Sequence, residues 1–366
     1  MLPALPRLHT LLALALLACG DDHATRTDLD TSASDDTAFD TASDTGAAPD
    51  TGAAPDTAAP EHPGFHVVGA ELRDARGVPF VMRGVNNPHI WWDATAYAAL
   101  DAIAEAGANA VRVVWETRGD PARLGEVLAR VVALDMVPIV ELHDVTGQDD
   151  PDALAGVVDW WIDPDVVNVL DDFRREALVN VANEWGGNTL APTVWRDAYV
   201  AAVTRMRAAG IGHTIVVDGS GWGQDLDVIL AHGAEVLAAD PDRNVLFSVH
   251  MYARWNDAEA IGPALDAARA AGLALIVGEF GWDFNAGINN LFCRVDAPRL
   301  LAETEARGVG WLAWSWFGNN AENAWLDLTD DGTLATLTDW GATIVEGAHG
   351  LGETARRATI YRADDR

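Results

Sequence analysis

From about residue 80 onward the chain alternates, eight times in succession, between a short apolar run and an amphipathic helical segment. The apolar runs end near Asn86, Trp115, His143, Glu184, Asp218, Tyr252, Glu279 and Trp316. Between them lie segments of helical period such as "ATAYAALDAIAEAG", "PARLGEVLARVVALD", "DALAGVVDWWI", "TVWRDAYVAAVTRMRAAG" and "DAEAIGPALDAARAAG". Several of these segments stop at glycine, a common helix terminator. Runs that are apolar on both faces are buried strands, and buried strands are mostly parallel. Eight strand–helix units in roughly 270 residues have the size and rhythm of a (β/α)8 barrel, a TIM barrel of the α/β class. A doubly wound sheet is the alternative. It usually has fewer strands and a glycine-rich first turn, and "RGVNNPHI" is no such turn. Ahead of the barrel, "FHVVGAELRDARGVPF" (65–80) alternates and reads as a β-hairpin turning at "DARG".

The first 63 residues read differently. Residues 1–18 carry one Arg and a Leu/Ala run too short to span a membrane, as in a secretory signal peptide. "LLAC" at 16–19 resembles the bacterial lipoprotein box, in which Cys19 becomes the acylated N-terminus. An ordinary signal with a chance cysteine is the other reading. Residues 19–63 are rich in Asp, Thr, Ala and Pro, with the imperfect repeat "DTGAAPDTGAAPDTAAP". Such a segment buries too little apolar surface to offset its ordering entropy. The expectation is an extended acidic tether with an r.m.s. reach of roughly 35–40 Å. Residues 64–366 then form the folded domain. The expected location is the bacterial cell envelope, on the surface or in the periplasm, or else the medium, with membrane contact only through the lipid.

The formal net charge of −32 argues against nucleic acid or an anionic membrane surface as a partner. It says little about a neutral substrate. A monomer is expected. Every basic residue is Arg, so chemistry that needs a lysine is excluded: Schiff-base aldolases, pyridoxal phosphate enzymes and Walker-type phosphate loops. With Cys19 acylated, Cys293 is alone, which leaves neither a disulfide framework nor a cysteine metal site. There is no His-x-His and no His-Glu-x-x-His, so a metal-dependent barrel hydrolase has no ligand set; no metal and no cofactor are expected.

In a (β/α)8 barrel the C-terminal strand ends converge on one face, and that face carries the active site. Arg112, His143, Asn183, Glu184, His250, Tyr252, Glu279 and Trp314 all fall there. A single histidine at a strand end is ordinarily structural, and Arg112 in "NAVRVVW" would ordinarily be a salt-bridged barrel residue. Eight such residues on the catalytic face point to chemistry. Glu184 and Glu279, 95 residues apart, close strands four and seven on opposite sides of the ring. Two carboxylates facing across a barrel mouth suit glycosidic bond cleavage, one protonated to assist the leaving oxygen and one ionised to attack the sugar. Arg112 and Tyr252 would keep Glu279 ionised, and Glu184 has no obvious cation, which makes it the acid. Tryptophans at or just past strand ends (Trp91, Trp92, Trp115, Trp185, Trp222, Trp282, Trp314, Trp316) could stack on sugar rings. Trp160, Trp161, Trp195 and Trp340 sit in helical stretches and read as packing. A glycan-binding barrel without activity would have lost one glutamate, and both are present.

The segments "VNVANEW", "HTIVVDGSGWGQ", "VLFSVHMY", "LALIVGEFG", "GVGWLAWSWFGN" and "GLGETARRATIY" resemble the retaining β-glycanases of glycoside hydrolase family 5, and more narrowly its bacterial endo-β-1,4-mannanases. The resemblance runs from about Phe80 to Tyr361. It implies Glu184 as acid/base, Glu279 as nucleophile, Arg112 and Tyr252 around the nucleophile, Asn183 on the sugar 2-OH, His143 and His250 as supports and Trp314 as a platform. It implies a neutral β-1,4-linked polysaccharide as substrate: mannan, glucomannan or galactomannan, cleaved internally. Two loops, "WETRGD" and "GWDFNAGINNLFC", depart from the mannanase pattern, and a β-1,4-glucanase of the same family is the alternative.

Overall fold

The computed structural model describes residues 62–362 apart from residue 289. The expected signal peptide, the acylation site at Cys19 and nearly all of the expected tether lie outside the described residues. A short antiparallel pair, β1 (His66–Val68) and β2 (Glu71–Arg73), opens the fold. A second turn follows at Asp74–Gly77, where Asp74 Oδ1 accepts the N–H groups of Arg76 and Val78. The expected hairpin therefore turns twice, first at Gly69–Ala70 and then at "DARG".

Eight parallel strands close into a barrel: β3 (Arg83–Asn87), β4 (Ala110–Trp115), β5 (Val137–Leu142), β6 (Leu178–Asn180), β7 (Thr214–Asp218), β8 (Val245–Met251), β9 (Leu275–Phe280) and β10 (Gly310–Ala313). β10 pairs with β3 to close the ring. The helices are α1 (Asp93–Glu105), α2 (Pro121–Ala133), α3 (Pro151–Trp161), α4 (Pro164–Asp172), α5 (Pro192–Ala208), α6 (Leu226–Ala239), α7 (Ala258–Ala270), α8 (Ala297–Arg307), α9 (Asp339–Val345) and α10 (Leu351–Thr354). Aspartates start many of them. Asp120, Asp150 and Asp163 each accept a backbone N–H two residues on and are each followed by proline. A carboxylate at the N-cap satisfies orphan donors, and proline at the first helical position has no N–H to lose. Asp163–Pro164 accounts for a difference from the sequence reading: the third unit carries two helices, α3 and α4, rather than one.

Inside the barrel the period of two separates floor from site. Ala110, Ile139, Leu178, Val216, Leu246, Ile276 and Leu312 form an apolar floor, sealed from below by Phe65, Leu72, Phe80 and Ile360. Two residues beyond each floor residue comes the layer that faces the mouth: Arg112, Glu141, Asn180, Asp218, Ser248, Gly278 and Trp314, joined by Asn86 from β3. A larger apolar cluster lies between the strands and the surrounding helices.

Candidate active site

Two of the expected strand ends are displaced. β6 stops at Asn180, and the chain continues as an irregular segment to Glu184, which takes a left-handed backbone at φ 48°. That conformation is uncommon without glycine. It is held by the Glu184 N–H donating to Asp218 Oδ2 at 3.0 Å and by the Gly147 N–H donating to the Glu184 carbonyl at 2.8 Å. β10 stops at Ala313, just before Trp314. Between β8 and β9 the register slips at Val249/His250, so that His250 pairs with Glu279. Such a bulge re-aims side chains at a site. Gly278 sits in it, and a Cβ there would lie 2.2 Å from Ser248 Oγ.

Arg112 is the hub of the site. Its guanidinium donates to Glu279 Oε1 (2.7 Å), Asn86 Oδ1 (2.9 Å), Asn180 Oδ1 (3.0 Å) and Asn183 Oδ1 (2.8 Å). Burial alone would disfavour its charge, but Glu141, Glu279 and Asp218 around it keep it firmly protonated. The Tyr252 hydroxyl donates to Glu279 Oε2 at 2.9 Å. Glu184 Oε1 instead meets His250 Nδ1 at 2.8 Å. Oxygens of Glu184 and Glu279 and a nitrogen of His250 lie within 4.8 Å of one another. By distance these three groups could hold a cation, but Arg112 already supplies the positive charge at Glu279.

The two glutamates are not equivalent. Burial drives the Glu184 pKa well above the usual carboxylate range, and the Glu279 and Asp218 charges drive it further. Burial also raises Glu279, but Arg112, His143 and the Tyr252 hydrogen bond pull it back to about 7. From the sequence Glu279 is expected to be simply ionised; its burial makes that ionisation conditional on pH. Glu184 is thus the proton holder and Glu279 the anion of the pair. Burial, Arg112 and His143 hold the His250 pKa well below its usual value, so its ring is neutral. At His143 burial opposes charge, yet Glu141 Oε1 at 3.0 Å from Nδ1 outweighs it and the pKa is raised.

The structure brings Arg112, His143, Asn183, Glu184, His250, Tyr252, Glu279 and Trp314 together at the mouth. Trp314 stacks on His143 at 5.7 Å between ring centroids, and Trp91 makes a T-shaped contact with the same imidazole at 5.0 Å. The tryptophan set divides. Trp222 is partly exposed, its ring laid so closely on Gly147 that a Cβ there would come within 2.1 Å of it. Trp185 is a correction: it is fully buried, packs on Tyr199 and donates to the Asp150 carbonyl, so it has no face for a ligand. Trp115 and Trp316 are likewise core. Trp282 is half-buried: it stacks on Trp340 of α9 at 8°, tilts against Phe284 and donates its ring N–H to the Trp325 carbonyl. The sequence reading did not single out Asn86, Glu141, Asn180 or Asp218 as site residues. The signal was present: each is a polar residue inside an apolar strand, at or next to its C-terminal end.

A closed parallel barrel with an inequivalent carboxyl pair buried at its mouth, one beside an arginine and one beside a neutral histidine, defines a glycosidase of the two-carboxylate type. Residues 73–322 match the family described as cellulase (glycosyl hydrolase family 5). The chain is 41% identical, over 82% of its length and 97% of the relative's, to a mannan endo-1,4-beta-mannosidase of Salipaludibacillus agaradhaerens. Among solved structures it resembles a beta-mannanase from Streptomyces thermolilacinus crystallised with mannohexaose (TM-score 0.75, 38% identity, 81% of this chain and 98% of that one). It also resembles the beta-mannanase from Thermomonospora fusca (TM-score 0.76, 33% identity, 82% and 99%). The chain belongs to glycosyl hydrolase family 5.

Proposed function

We propose that this protein is an endo-β-1,4-mannanase that cleaves internal bonds of mannan, glucomannan or galactomannan with retention of configuration. The observation that carries this reading is that a carboxyl oxygen of Glu184 comes within 4.8 Å of one of Glu279, which leaves no room for a water-sized gap between the groups. Retaining enzymes hold their carboxyl groups about 5–5.5 Å apart, whereas inverting ones leave about 6.5–9.5 Å for a water. The kinship with mannan-cleaving enzymes supports the choice of polymer.

In the first step Glu279 attacks the anomeric carbon. Glu184 gives its proton to the glycosidic oxygen, and the aglycone leaves. Arg112 and Tyr252 hold the Glu279 carboxylate and aim its free lone pairs at the sugar. In the second step the ionised Glu184 takes a proton from water, and the resulting hydroxide equivalent displaces Glu279. Asn183, fixed by Arg112 at its oxygen and by Thr146 at its nitrogen, faces the sugar 2-OH, and Trp314 underlies the ring. The test compares kcat/KM on linear β-1,4-mannan and on soluble β-1,4-glucan, and follows the anomer first released. Preference for mannan and a β-product are expected. A preference for glucan would overturn the polymer assignment, and an α-product the stereochemistry.

We also propose that residues 1–63 deliver and tether this domain as an envelope lipoprotein acylated at Cys19. The "LLAC" box and the acidic Asp/Thr/Ala/Pro segment support this.

A further inference from the structure

Asp218 ends β7 and is fully buried. Its Oδ2 accepts the Glu184 backbone N–H at 3.0 Å, and its Oδ1 accepts Asn180 Nδ2 at 3.1 Å. The same Oδ2 lies 3.5 Å from His250 Nε2, while His250 Nδ1 lies 2.8 Å from Glu184 Oε1. Asp218 therefore grips the Glu184 main chain directly and lies one imidazole away from its carboxyl, with His250 Nε2 close to it but making no hydrogen bond. The grip on the main chain falls where it is needed, because Glu184 is the residue held at positive φ.

The charges around the pair are unequal. Glu184 faces Glu279 from β9, Glu141 from β5, Arg112 from β4, and His250 and Tyr252 from the end of β8. Asp218 faces Arg112, His250 and, from α5, Tyr199. Arg112 lies 2.7 Å from Glu279 but 3.7 Å from Asp218, so its charge is spent mainly on Glu279. A second carboxyl group therefore lies beneath Glu184: burial raises its pKa, and Arg112, the Glu184 N–H and Asn180 pull it back toward the charged form.

We propose that Asp218 is the positioning residue of the acid/base: as a carboxylate it fixes the Glu184 backbone and opposes ionisation of the Glu184 carboxyl until the glycosidic oxygen takes the proton. The inference rests on the reading of Glu184 as the acid/base. It acts in both half-reactions. Once Glu184 has given up its proton, the Asp218 charge makes it a stronger base toward the incoming water, and the water proton returns to Glu184.

The experiment measures kcat/KM against pH for the wild type, Asp218→Asn and Asp218→Glu. The substrates are mannan and an aryl β-mannobioside with a good leaving group. In Asp218→Asn the alkaline limb should move to lower pH by about one unit, because a like charge has been removed. The loss on mannan should exceed the loss on the aryl substrate, and Asp218→Glu should restore the limb. An alkaline limb left in place in Asp218→Asn overturns the proposal, however much activity is lost at every pH. Should the Asn variant fail to fold, the wild type decides by carbon-13 NMR of labelled aspartate carboxyls. Asp218 ionised throughout the active pH range supports the proposal, and Asp218 neutral there overturns it. Glu184→Ala on the aryl substrate checks the underlying reading separately: loss of the glycosylation step there would count against Glu184 as the acid, not against Asp218.

Discussion

At Glu184 and Glu279 the same residue type is given two chemical characters by its neighbours. Glu279 has Arg112 and Tyr252 at hydrogen-bond distance, and Glu184 has a neutral imidazole. Replacing either by Ala should remove most activity on mannan, of the order of 10²–10⁴-fold for the acid/base alone. The two variants should differ in rescue. Azide should restore turnover in Glu279→Ala and give a glycosyl azide of inverted configuration, while Glu184→Ala should still form a glycosyl-enzyme from an activated substrate. Equal, unrescued losses would count against separate roles. The pH profile follows from the same contrast. Activity should fall on the acid side as Glu279, poised at about 7, takes up a proton. It should fall on the alkaline side as Glu184 loses its own. The sign for stability is the reverse of an ordinary salt-bridged carboxylate. Both folded pKa values are raised, so their contribution is complete below the unfolded pKa and is lost as pH rises through the folded one. Glu184→Gln should therefore raise Tm above the wild type at pH 8–9 and do so less at pH 5. A constant difference across that range would contradict the assignment.

The elements contribute geometry that no single side chain could. The β8–β9 register shift lets His250 and Glu279 face the mouth side by side, and it requires Gly278. In Gly278→Ala the new Cβ would stand 2.2 Å from Ser248 Oγ and 3.1 Å from His250 Nε2. The expected outcome is a folded protein by circular dichroism whose kcat/KM falls about 10²-fold, the scale associated with a misplacement near 1 Å. Gly147 plays the corresponding part for Trp222, and Gly147→Ala should act mainly on KM by lifting that ring. Arg112 ties β3, β4, β6 and β9 together through Asn86, Asn180, Asn183 and Glu279. Removing it leaves buried carboxylates without their cation, and Arg112→Ala should cost about 3–5 kcal/mol in a denaturant titration. Much at this scale was legible in the sequence. The eight apolar runs are the eight barrel strands, and the helical periods fall on real helices. The split of α3 from α4 was written in Asp163–Pro164, but the continuous apolar pattern around it concealed the break.

For the whole molecule, the closed ring brings residues far apart in sequence to one mouth. If residues 1–63 act as proposed, the catalytic domain stands off the envelope on an acidic tether. Cys19→Ala should then release it in soluble form, as scored by fractionation and by metabolic labelling with palmitate. Two acyl chains give stable attachment and one does not. A wild type found soluble and unacylated would refute the anchor.

By itself the sequence determined the architecture and the reacting groups, because both are local properties. Alternation of buried strand and amphipathic helix is set by side-chain period, and glutamates at strand ends mark the catalytic face whatever the packing. Only the tertiary structure decided how those groups behave. The tryptophans at strand ends look alike in sequence, yet Trp185 and Trp316 fill the core while Trp314 lies on His143, because which side of the backbone meets the mouth depends on where each strand actually stops. The ionisation of the glutamates depends on distances across the ring. Arg112 is 167 residues from Glu279 along the chain and Asp218 is 34 from Glu184, and closure places them at 2.7 and 3.0 Å. Coulomb and desolvation energies act through space, so the chemical difference between Glu184 and Glu279 exists only once the barrel is closed.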